Sequence, residues 1–323
     1  MGLPSHYILE LEFELTLPLN INQIHNGPDN NFYIVTDSVG RKIGLRESKR
    51  KDKNINYEIE VLLKLLEAGL SVPHSIRGQS GKYFLINDTS QIVAFDFILG
   101  NSIKRLKIED LTKEYIEIGA RKLGELHAIS PKLSINSVPS RTIFNEFERF
   151  LKLSVLELGK FRGVDFVVKQ ANYYYTEAKT RLNSNRELCG VIHNDFRIQN
   201  LIFNETDCYM IDFDWSCYGP LNKDLGLAVA EWSIFNPETG PVSEAINRFL
   251  SNYNNYSSRR VLYGKDLLFW ICFACLSEVC TSLTDISNGQ YQDFIVEDVN
   301  QLYMYRKFIY FHNEEMKYRD SYA

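Results

Sequence analysis

The sequence lacks an apolar run long enough to cross a membrane, and it lacks an excess of positive charge. No uninterrupted stretch reaches the roughly 18 apolar residues of a spanning helix, and the apolar run 267–276 is short and soon followed by Glu278. Residues 6–10 include an acid where a secretory signal needs an apolar core. The net charge of −5 argues against nucleic acid held by a general positive field. We therefore expect neither a membrane nor a nucleic-acid partner.

Cysteine pairs of the kind that bind zinc are missing as well. The sequence has six cysteines, and Cys272 with Cys275 forms one CxxC pair on a predicted helix, with no second pair to complete a zinc site. Such a pattern is typical of free, buried thiols in a reducing cytoplasm, which is the expected location. The 323 residues contain no internal repeat or low-complexity segment, and this length suits one large domain or two lobes.

The most informative segment lies at residues 193–214. It reads HNDFRIQN from His193 to Asn200 and IDFD from Ile211 to Asp214. The kinase catalytic loop reads H-R-D-L-x-x-x-N and is followed by D-F-G. The apolar runs 201–203 and 209–211, separated by polar residues, predict a hairpin between the two motifs. A loop followed by two strands would bring the polar residues of both motifs together.

The spacing of Asp195, Asn200 and Asp212 suits phosphoryl transfer. This chemistry needs an aligned nucleophile and neutralised phosphate charge, and little covalent work from the protein. Asp195 would orient an attacking hydroxyl and accept its proton. Asn200 and Asp212 supply the hard oxygen ligands that Mg²⁺ prefers. His193 is expected to orient the loop backbone, and Asp224 to brace the loop.

The first part of the chain has the pattern of an α+β lobe. Strand-like runs at 31–36 and 42–46 are joined by a turn, and 82–87 with 91–98 predicts a further strand pair. Apolar residues recur at helical spacing over 58–68, and Gly69 stands at the position of a C-terminal cap.

This lobe also holds the candidate nucleotide-binding residues. The turn around Gly27, Asn30 and Asn31 would cover the ATP phosphates, although it lacks a full G-x-G-x-x-G and an ordinary turn is the alternative. Arg46 occupies the strand position of a phosphate-binding lysine, and Glu58 on the next helix would pair with it. Two unrelated surface charges are the alternative for that pair. The hinge that presents backbone groups to adenine is predicted at Phe95, Asp96 and Phe97.

Helical periodicity dominates after Gly100. One helix is expected to end near residues 130–131, and further helices are predicted at 144–158, 166–182, 225–235, 242–253, 265–284 and 293–312. The expected fold is therefore α+β and two-lobed, of the protein-kinase-like kind, with a strand-rich lobe at 1–98 and a mostly helical lobe at 99–323. Aromatic and acidic residues that follow the metal motif would wall a pocket for a cationic acceptor, although core positions are the alternative for each: Trp215, Tyr218, Glu231 and Trp232.

Taken together, these motifs resemble those of the aminoglycoside phosphotransferase and choline kinase family. The resemblance covers nearly the whole chain and rests on residues 27–31, on Glu58 with 69–73, on the two motifs of 193–214, and on Gly219-Pro220 with Asp224-Leu225. Within the family, the homoserine-kinase type is the most similar. The resemblance implies an ATP-dependent phosphotransferase with Asp195 as base and magnesium on Asn200 and Asp212.

Two positions depart from better-known patterns. Arg46 replaces the usual lysine, which leaves the contact with the triphosphate open. Asp214 replaces the glycine of D-F-G, which agrees with this family and differs from protein kinases. A protein kinase would also need an activation segment, for which the stretch from Asp212 to Pro220 has no room.

The alternative of a different class is a nucleotide-binding pseudokinase that acts as a regulator or scaffold. The intact Asp195, Asn200 and Asp212 argue against it, and Arg46 argues mildly for it. The acceptor is a small molecule with a hydroxyl, and homoserine, choline, aminoglycosides and sugars all remain open. The sequence does not discriminate ATP from GTP, and it does not give the oligomeric state.

Overall fold

The computed structural model describes residues 5–26, 30–49, 55–87, 90–185, 187–205, 207–289 and 296–320. The chain forms two compact units. The first consists of Met1–Asn101, Ile135–Ser140 and Ile202–Asp214, and the second of Ser102–Ser134, Arg141–Leu201 and Trp215–Ala323. The division into lobes at 1–98 and 99–323 stays a prediction.

The elements of the described residues follow one another as α and β segments with short 3-10 turns. The helices are α1 (His6–Phe13), α2 (Ile55–Glu67), α3 (Tyr115–Ile129), α4 (Asn145–Phe150), α5 (Val155–Leu158), α6 (Val164–Asn183), α7 (Leu221–Trp232), α8 (Ser243–Tyr256), α9 (Lys265–Ser287) and α10 (Tyr303–Asp320). The strands are β1 (Asn20–Asn26), β2 (Asn30–Thr36), β3 (Lys42–Ser48), β4 (Phe84–Asn87), β5 (Ser90–Asp96), β6 (Asn101–Ser102), β7 (Cys189–Ile192), β8 (Leu201–Phe203), β9 (Cys208–Met210), β10 (Cys217–Pro220), β11 (Phe235–Asn236) and β12 (Gly240–Pro241).

The first unit is built on an antiparallel sheet in the order β1-β2-β3-β5-β4. The predicted strands at 31–36 and 42–46, and the predicted pair at 82–87 and 91–98, are confirmed as β2 to β5. The turn between β2 and β3 is fixed by Asp37, whose carboxylate accepts the backbone N–H groups of Val39 and Arg41 at 3.1 and 2.8 Å. Apolar side chains of α1 and the sheet form the core of this unit, among them Leu9, Phe13, Val35, Ile43 and Ile92.

The predicted helix at 58–68 is confirmed as α2, which begins three residues earlier, at Ile55. It ends at Glu67, and Gly69 follows with φ +85°. The N–H groups of Gly69 and Leu70 donate to the carbonyls of Leu66 and Leu65, both at 2.9 Å. These two bonds form the glycine-capped end that the sequence predicts, because a left-handed residue costs glycine little.

The second unit is mostly helical and is organised around α9, which packs against α4, α6, α7 and α10. By length and composition α9 could cross a membrane, but 83% of its most apolar 18-residue stretch is buried inside the protein. The predicted buried helix is therefore confirmed. Gly226 lets α7 approach α9 closely, because a Cβ at this position would lie 2.6 Å from the backbone of Trp270.

Three predicted helices are wrong in their extent, and one of them is α7, which occupies Leu221–Trp232 where 225–235 was predicted. The stretch 144–158 holds two short helices, α4 and α5, because Ser154 begins a new helix: its backbone N–H donates to the Glu157 carboxylate at 2.7 Å, and its side chain accepts the Glu157 N–H at 3.3 Å. Helix α10 begins at Tyr303, after a 3-10 turn at Val299–Gln301, and the predicted start at Asp293 lies outside the described residues. Elements α1, β1 and β10 had no clear sequence signal.

Candidate active site

The loop between β7 and β8 contains the predicted catalytic motif, and it is held by Asp224 on α7. Strand β7 pairs with β10, which leads directly into α7. The carboxylate of Asp224 accepts the backbone N–H groups of His193 and Asn194, both at 2.9 Å. Asn194 has φ +67°, a conformation that costs a non-glycine residue energy and persists only where its surroundings fix it. Asp224 therefore braces the loop.

Asp224 is fully buried and stays ionised. Burial by itself would raise its pKa, but the hydrogen bond with His127 and the positive charges near it hold the pKa below its ordinary value. The His127 Nε2 lies 3.2 Å from the carboxylate, and the Lys223 ammonium donates to the Asn194 carbonyl at 3.0 Å. Hydrogen bonds and nearby positive charges thus stabilise the buried carboxylate of Asp224 and hold it in one position.

Asp195 and Asn200 lie side by side on the loop. The Asn200 amide nitrogen donates to the Asp195 carbonyl and to its carboxylate, each at 2.9 Å. Both bonds use Nδ2, so neither of them involves the amide oxygen of Asn200. The Asp195 N–H donates to His193 Nδ1 at 3.4 Å. A short 3-10 turn at Ile198–Asn200 supplies the bend that returns Asn200 to Asp195.

Arg197 is a neighbour of Asp195 that the sequence analysis did not single out. Its guanidinium contacts the carboxylates of both Asp195 and Glu278, which lies on α9. Burial raises the pKa of Glu278, and Asp195 raises it further, whereas Arg197 lowers it; the balance is a raised pKa. Glu278 is an acidic residue within an apolar stretch of sequence, which is a sign of a buried polar role. Its partner Arg197 is 81 residues away and could not be deduced from the sequence.

The first unit contains a second group of charges around Arg46. Its guanidinium donates to both carboxylate oxygens of Glu58, at 2.6 and 2.5 Å, and Nη1 lies 3.8 Å from Asp212 Oδ1. Burial disfavours the charge of Arg46, but Glu58, Asp214 and Asp212 raise its pKa above the ordinary value. The ion pair that the sequence predicts is therefore present, and Arg46 remains a cation.

The remaining predicted nucleotide residues lie in the same unit. Asn30 donates to Asp214 at 2.9 Å, and Asn31 donates to Glu47 at 2.8 Å. Gly27 lies outside the described residues.

The predicted hinge is at the end of β5. The ring of Phe95 lies 5.7 Å from the guanidinium of Arg46, and the ring of Phe97 lies 5.5 Å from the ammonium of Lys42. The Asp96 carboxylate is exposed and accepts from His74 at 2.8 Å.

The two predicted magnesium ligands belong to different units, Asn200 to the second and Asp212 to the first. Within the described ranges no three His, Cys, Asp or Glu side chains are grouped as a metal site. An amide oxygen and a carboxylate oxygen are nevertheless suitable for Mg²⁺, which takes few protein ligands and completes its shell with water and phosphate. Asp212 has φ +64°, a strained conformation of the kind found at ligand sites.

The four predicted acceptor residues lie in different surroundings. The Trp215 ring lies under the Arg141 guanidinium at 3.8 Å, and Tyr218 is exposed on β10. Trp232 is fully buried, and its ring stacks on that of Phe196. Trp232 is thus a core residue, which was the alternative for it. Glu231 lines a pocket of about 530 Å³ that also includes Arg197, and the other three do not line this pocket.

A family model described as the phosphotransferase enzyme family matches residues 20–262. The chain belongs to this family. The match includes the loop between β7 and β8, both aspartates of the IDFD motif and Asp224, and it identifies the chain as a phosphotransferase of the small-molecule kinase type. No curated protein matches the chain.

Solved structures show the same fold. An amicoumacin kinase in complex with AMP-PNP, Ca²⁺ and Ami is 16% identical, with a TM-score of 0.68 over 97% of this chain and 93% of that chain. A microcompartment-associated aminopropanol kinase is 15% identical, with a TM-score of 0.63 over 88% and 94%. A choline/ethanolamine kinase family protein from Mesorhizobium loti is 14% identical, with a TM-score of 0.62 over 91% and 87%. The predicted α+β, protein-kinase-like fold is confirmed, and the homoserine-kinase type stays a prediction.

Proposed function

We propose that this protein transfers the γ-phosphate of ATP to a hydroxyl of a small molecule in the cytoplasm, with Asp195 as the catalytic base. The observation that supports it most strongly is the anchored loop, in which Asp224 holds two backbone N–H groups and Asn200 holds Asp195. A base must be held in place to orient a nucleophile, since positioning provides most of the catalysis in phosphoryl transfer.

The proposed step is a single displacement. The acceptor oxygen attacks the γ-phosphorus while the bond from that phosphorus to the β–γ bridging oxygen breaks, and ADP leaves with the bridging oxygen. The hydroxyl proton goes to the Asp195 carboxylate, whose contacts with Asn200 and Arg197 fix its direction.

Asn200 and Asp212 are the proposed ligands of Mg²⁺. The ligand atoms suit this ion. The Asn200 amide directs its nitrogen to Asp195, so its oxygen can bind a cation, and Asp212 provides carboxylate oxygens. A magnesium ion bound there would neutralise phosphate charge. One structural neighbour is described as a complex with AMP-PNP and Ca²⁺, which is consistent with a nucleotide and a divalent cation here.

The proposed nucleotide contacts come from the first unit. Arg46, fixed by its two bonds to Glu58, would present its fork to the phosphates. The turn at Gly27, Asn30 and Asn31 would cover the phosphates. The hinge would supply backbone groups to adenine: Phe95, Asp96 and Phe97.

The proposed acceptor is an amino alcohol, an amino acid such as homoserine, an aminoglycoside or a sugar. The kinases among the structural neighbours are named for amicoumacin, aminopropanol and choline or ethanolamine. All of these classes present a hydroxyl that Asp195 could activate.

The test is ADP release by Asp195→Ala in the presence of Mg²⁺ and a panel of acceptors. Loss of a general base lowers kcat by about 10²–10⁴-fold, and we expect AMP-PNP to bind the variant as it binds the parent, measured by calorimetry. Asp165→Ala is the matched control, because Asp165 is an exposed carboxylate in the first turn of α6. A parent protein that binds AMP-PNP but phosphorylates no acceptor would favour the regulator or scaffold instead.

A further inference from the structure

The second unit contains a pocket whose charged residues are mostly cations. Its volume is about 530 Å³, within the range of small-molecule sites. Three residues of the catalytic loop, 197–199, form part of its wall. The charged residues that line it are five cations and one acid: Lys104, Arg105, Lys107, Arg197, Lys307 and Glu231.

The single acid of the pocket already has a buried cationic partner. Lys307 Nζ lies 3.2 Å from Glu231 Oε1, and only 1% of the Lys307 side chain is exposed. Burial would raise the pKa of Glu231, but Lys307 and Arg197 hold it below the ordinary value, so the carboxylate stays ionised. A cationic acceptor would have to compete with Lys307 for this carboxylate. Glu231 is therefore a poor receptor for an amine.

Among the described residues, the three cations at positions 104, 105 and 107 have no ion-pair partner of this kind. Arg105 donates to the Tyr303 hydroxyl at 3.0 Å, and its guanidinium lies 4.7 Å from the centre of the Tyr303 ring. Within the described part of the chain, no carboxylate lies within 4 Å of the side-chain nitrogens of Lys104 or Arg105, and Lys107 lies 3.8 Å from the exposed Glu109. The tyrosine thus fixes a guanidinium that keeps its donors for a ligand.

Arg197 connects this wall to the reacting centre. It lines the pocket and contacts the Asp195 carboxylate on the same loop. A small molecule bound in this pocket would therefore contact the residue that holds the Asp195 carboxylate.

We propose that this pocket binds the acceptor, and that the acceptor carries an anionic group, a carboxylate or a phosphate, in addition to its hydroxyl. The proposal rests on the proposed phosphotransferase function. A pocket lined by one sign of charge concentrates ligands of the opposite sign, and an arginine fork binds planar or tetrahedral oxyanions well. Acceptors whose only charge is a quaternary or primary ammonium are disfavoured, which narrows the acceptor classes proposed above and removes simple amino alcohols from them.

The test compares four small hydroxyl compounds that differ in charge: D-glycerate, glycerol 3-phosphate, glycerol and choline. ADP release with ATP and Mg²⁺ gives kcat and KM for each compound. We expect turnover of glycerate or glycerol 3-phosphate with a KM well below those of glycerol and choline, and the comparison of these two distinguishes a carboxylate from a phosphate. Choline as the best of the four substrates would overturn the proposal.

Arg105→Gln removes one positive charge from the pocket and keeps a polar side chain there. Loss of one charge-assisted contact should raise KM for the anionic acceptor about tenfold, leave kcat nearly unchanged and leave KM for glycerol unaffected. Lys160→Gln is the matched control, because Lys160 is also an exposed cation held near an aromatic ring, 5.1 Å from that of Phe161, and it does not line the pocket. Equal effects of the two variants would refute a role for Arg105. Arg105→Glu should lower the preference for anions further.

A binding measurement separates this proposal from the proposed function. In the presence of AMP-PNP and Mg²⁺, glycerate or glycerol 3-phosphate should raise the melting temperature of the parent and of Lys160→Gln, but raise that of Arg105→Gln much less. This pattern without any ADP release would retain the anion site and reject the phosphotransferase function. ADP release that depends on Asp195, with no shift by either anion and no effect of Arg105→Gln, would reject the anion site alone.

Discussion

Asp224→Asn tests whether the buried carboxylate on α7 is what holds the catalytic loop. The native carboxylate accepts two backbone N–H groups, from His193 and Asn194, at 2.9 Å each. An asparagine has one acceptor oxygen, so one of these N–H groups would face an amide NH₂ and lose its partner. The substitution also removes the negative charge beside His127 and Lys223.

The magnitude follows from these contacts. A hydrogen bond to a charged group contributes about 1.5–3 kcal/mol, and a buried donor without a partner costs about 1–3 kcal/mol. Removing one partner of a buried charge pair typically costs about 3–5 kcal/mol. We therefore expect the free energy of unfolding to fall by about 3–5 kcal/mol. In molecules that stay folded, kcat should fall by about 10²-fold, since a base displaced by 1 Å loses that much.

The assay is urea unfolding followed by fluorescence, with ADP release measured on the folded variant. Asp266→Asn is the control, because Asp266 is also a first-turn aspartate, on α9, but its side chain is 81% exposed and it should leave both quantities unchanged. A loss of stability below about 1 kcal/mol, the typical effect of a point substitution, would refute the view that Asp224 anchors the loop. So would a kcat equal to that of the parent.

Four further results are expected. The pKa of Asp224 is lower in the folded protein than in the unfolded chain. Its contribution to the free energy of unfolding is therefore present above the unfolded pKa of about 3.9 and is lost as the pH falls through the lower folded value. Urea unfolding at a series of acidic pH values should show this loss in the parent, and a weaker dependence of stability on pH in Asp224→Asn. Glu58→Gln leaves the buried Arg46 without its carboxylate partner, so the free energy of unfolding in urea should fall by about 3–5 kcal/mol. Arg46→Lys should raise KM for ATP, because an ammonium cannot form both bonds to Glu58. Gly69→Ala should cost about 1–2 kcal/mol by melting, because its φ is +85° with open space around it.

Features encoded in short stretches could be predicted from the sequence. Strands β2 and β3, helix α2 with its Gly69 cap, and the hairpin after the catalytic loop each follow from a local pattern of apolar residues and turn residues. The pair of Arg46 and Glu58 could be predicted because a strand followed by a helix defines both positions. The family could be recognised because its motifs have fixed local spacing.

The break between α4 and α5 is a local feature that the sequence analysis missed, because Ser154 and Glu157 form a capping box inside a longer helical pattern. Features that depend on distant contacts could not be predicted. Trp232 stands three residues before β11 and directly after the acidic Glu231, but its ring packs against those of Phe196 and Phe249. Sequence position alone does not tell a pocket wall from a core side chain.

The charge of the pocket that we propose for the acceptor is the strongest case of this kind. Glu231, considered alone, suggests an amine-binding site, because an acid near aromatic residues attracts cations. The structure pairs it with Lys307, 76 residues later, and places it in a wall that contains residues 104–107. An ionised carboxylate with a buried ammonium at 3.2 Å contributes little net field, so the remaining cations decide the sign of the pocket. The residues of the proposed base and magnesium site are therefore recognisable by motif, whereas the charges of this pocket are brought together only by the folded chain.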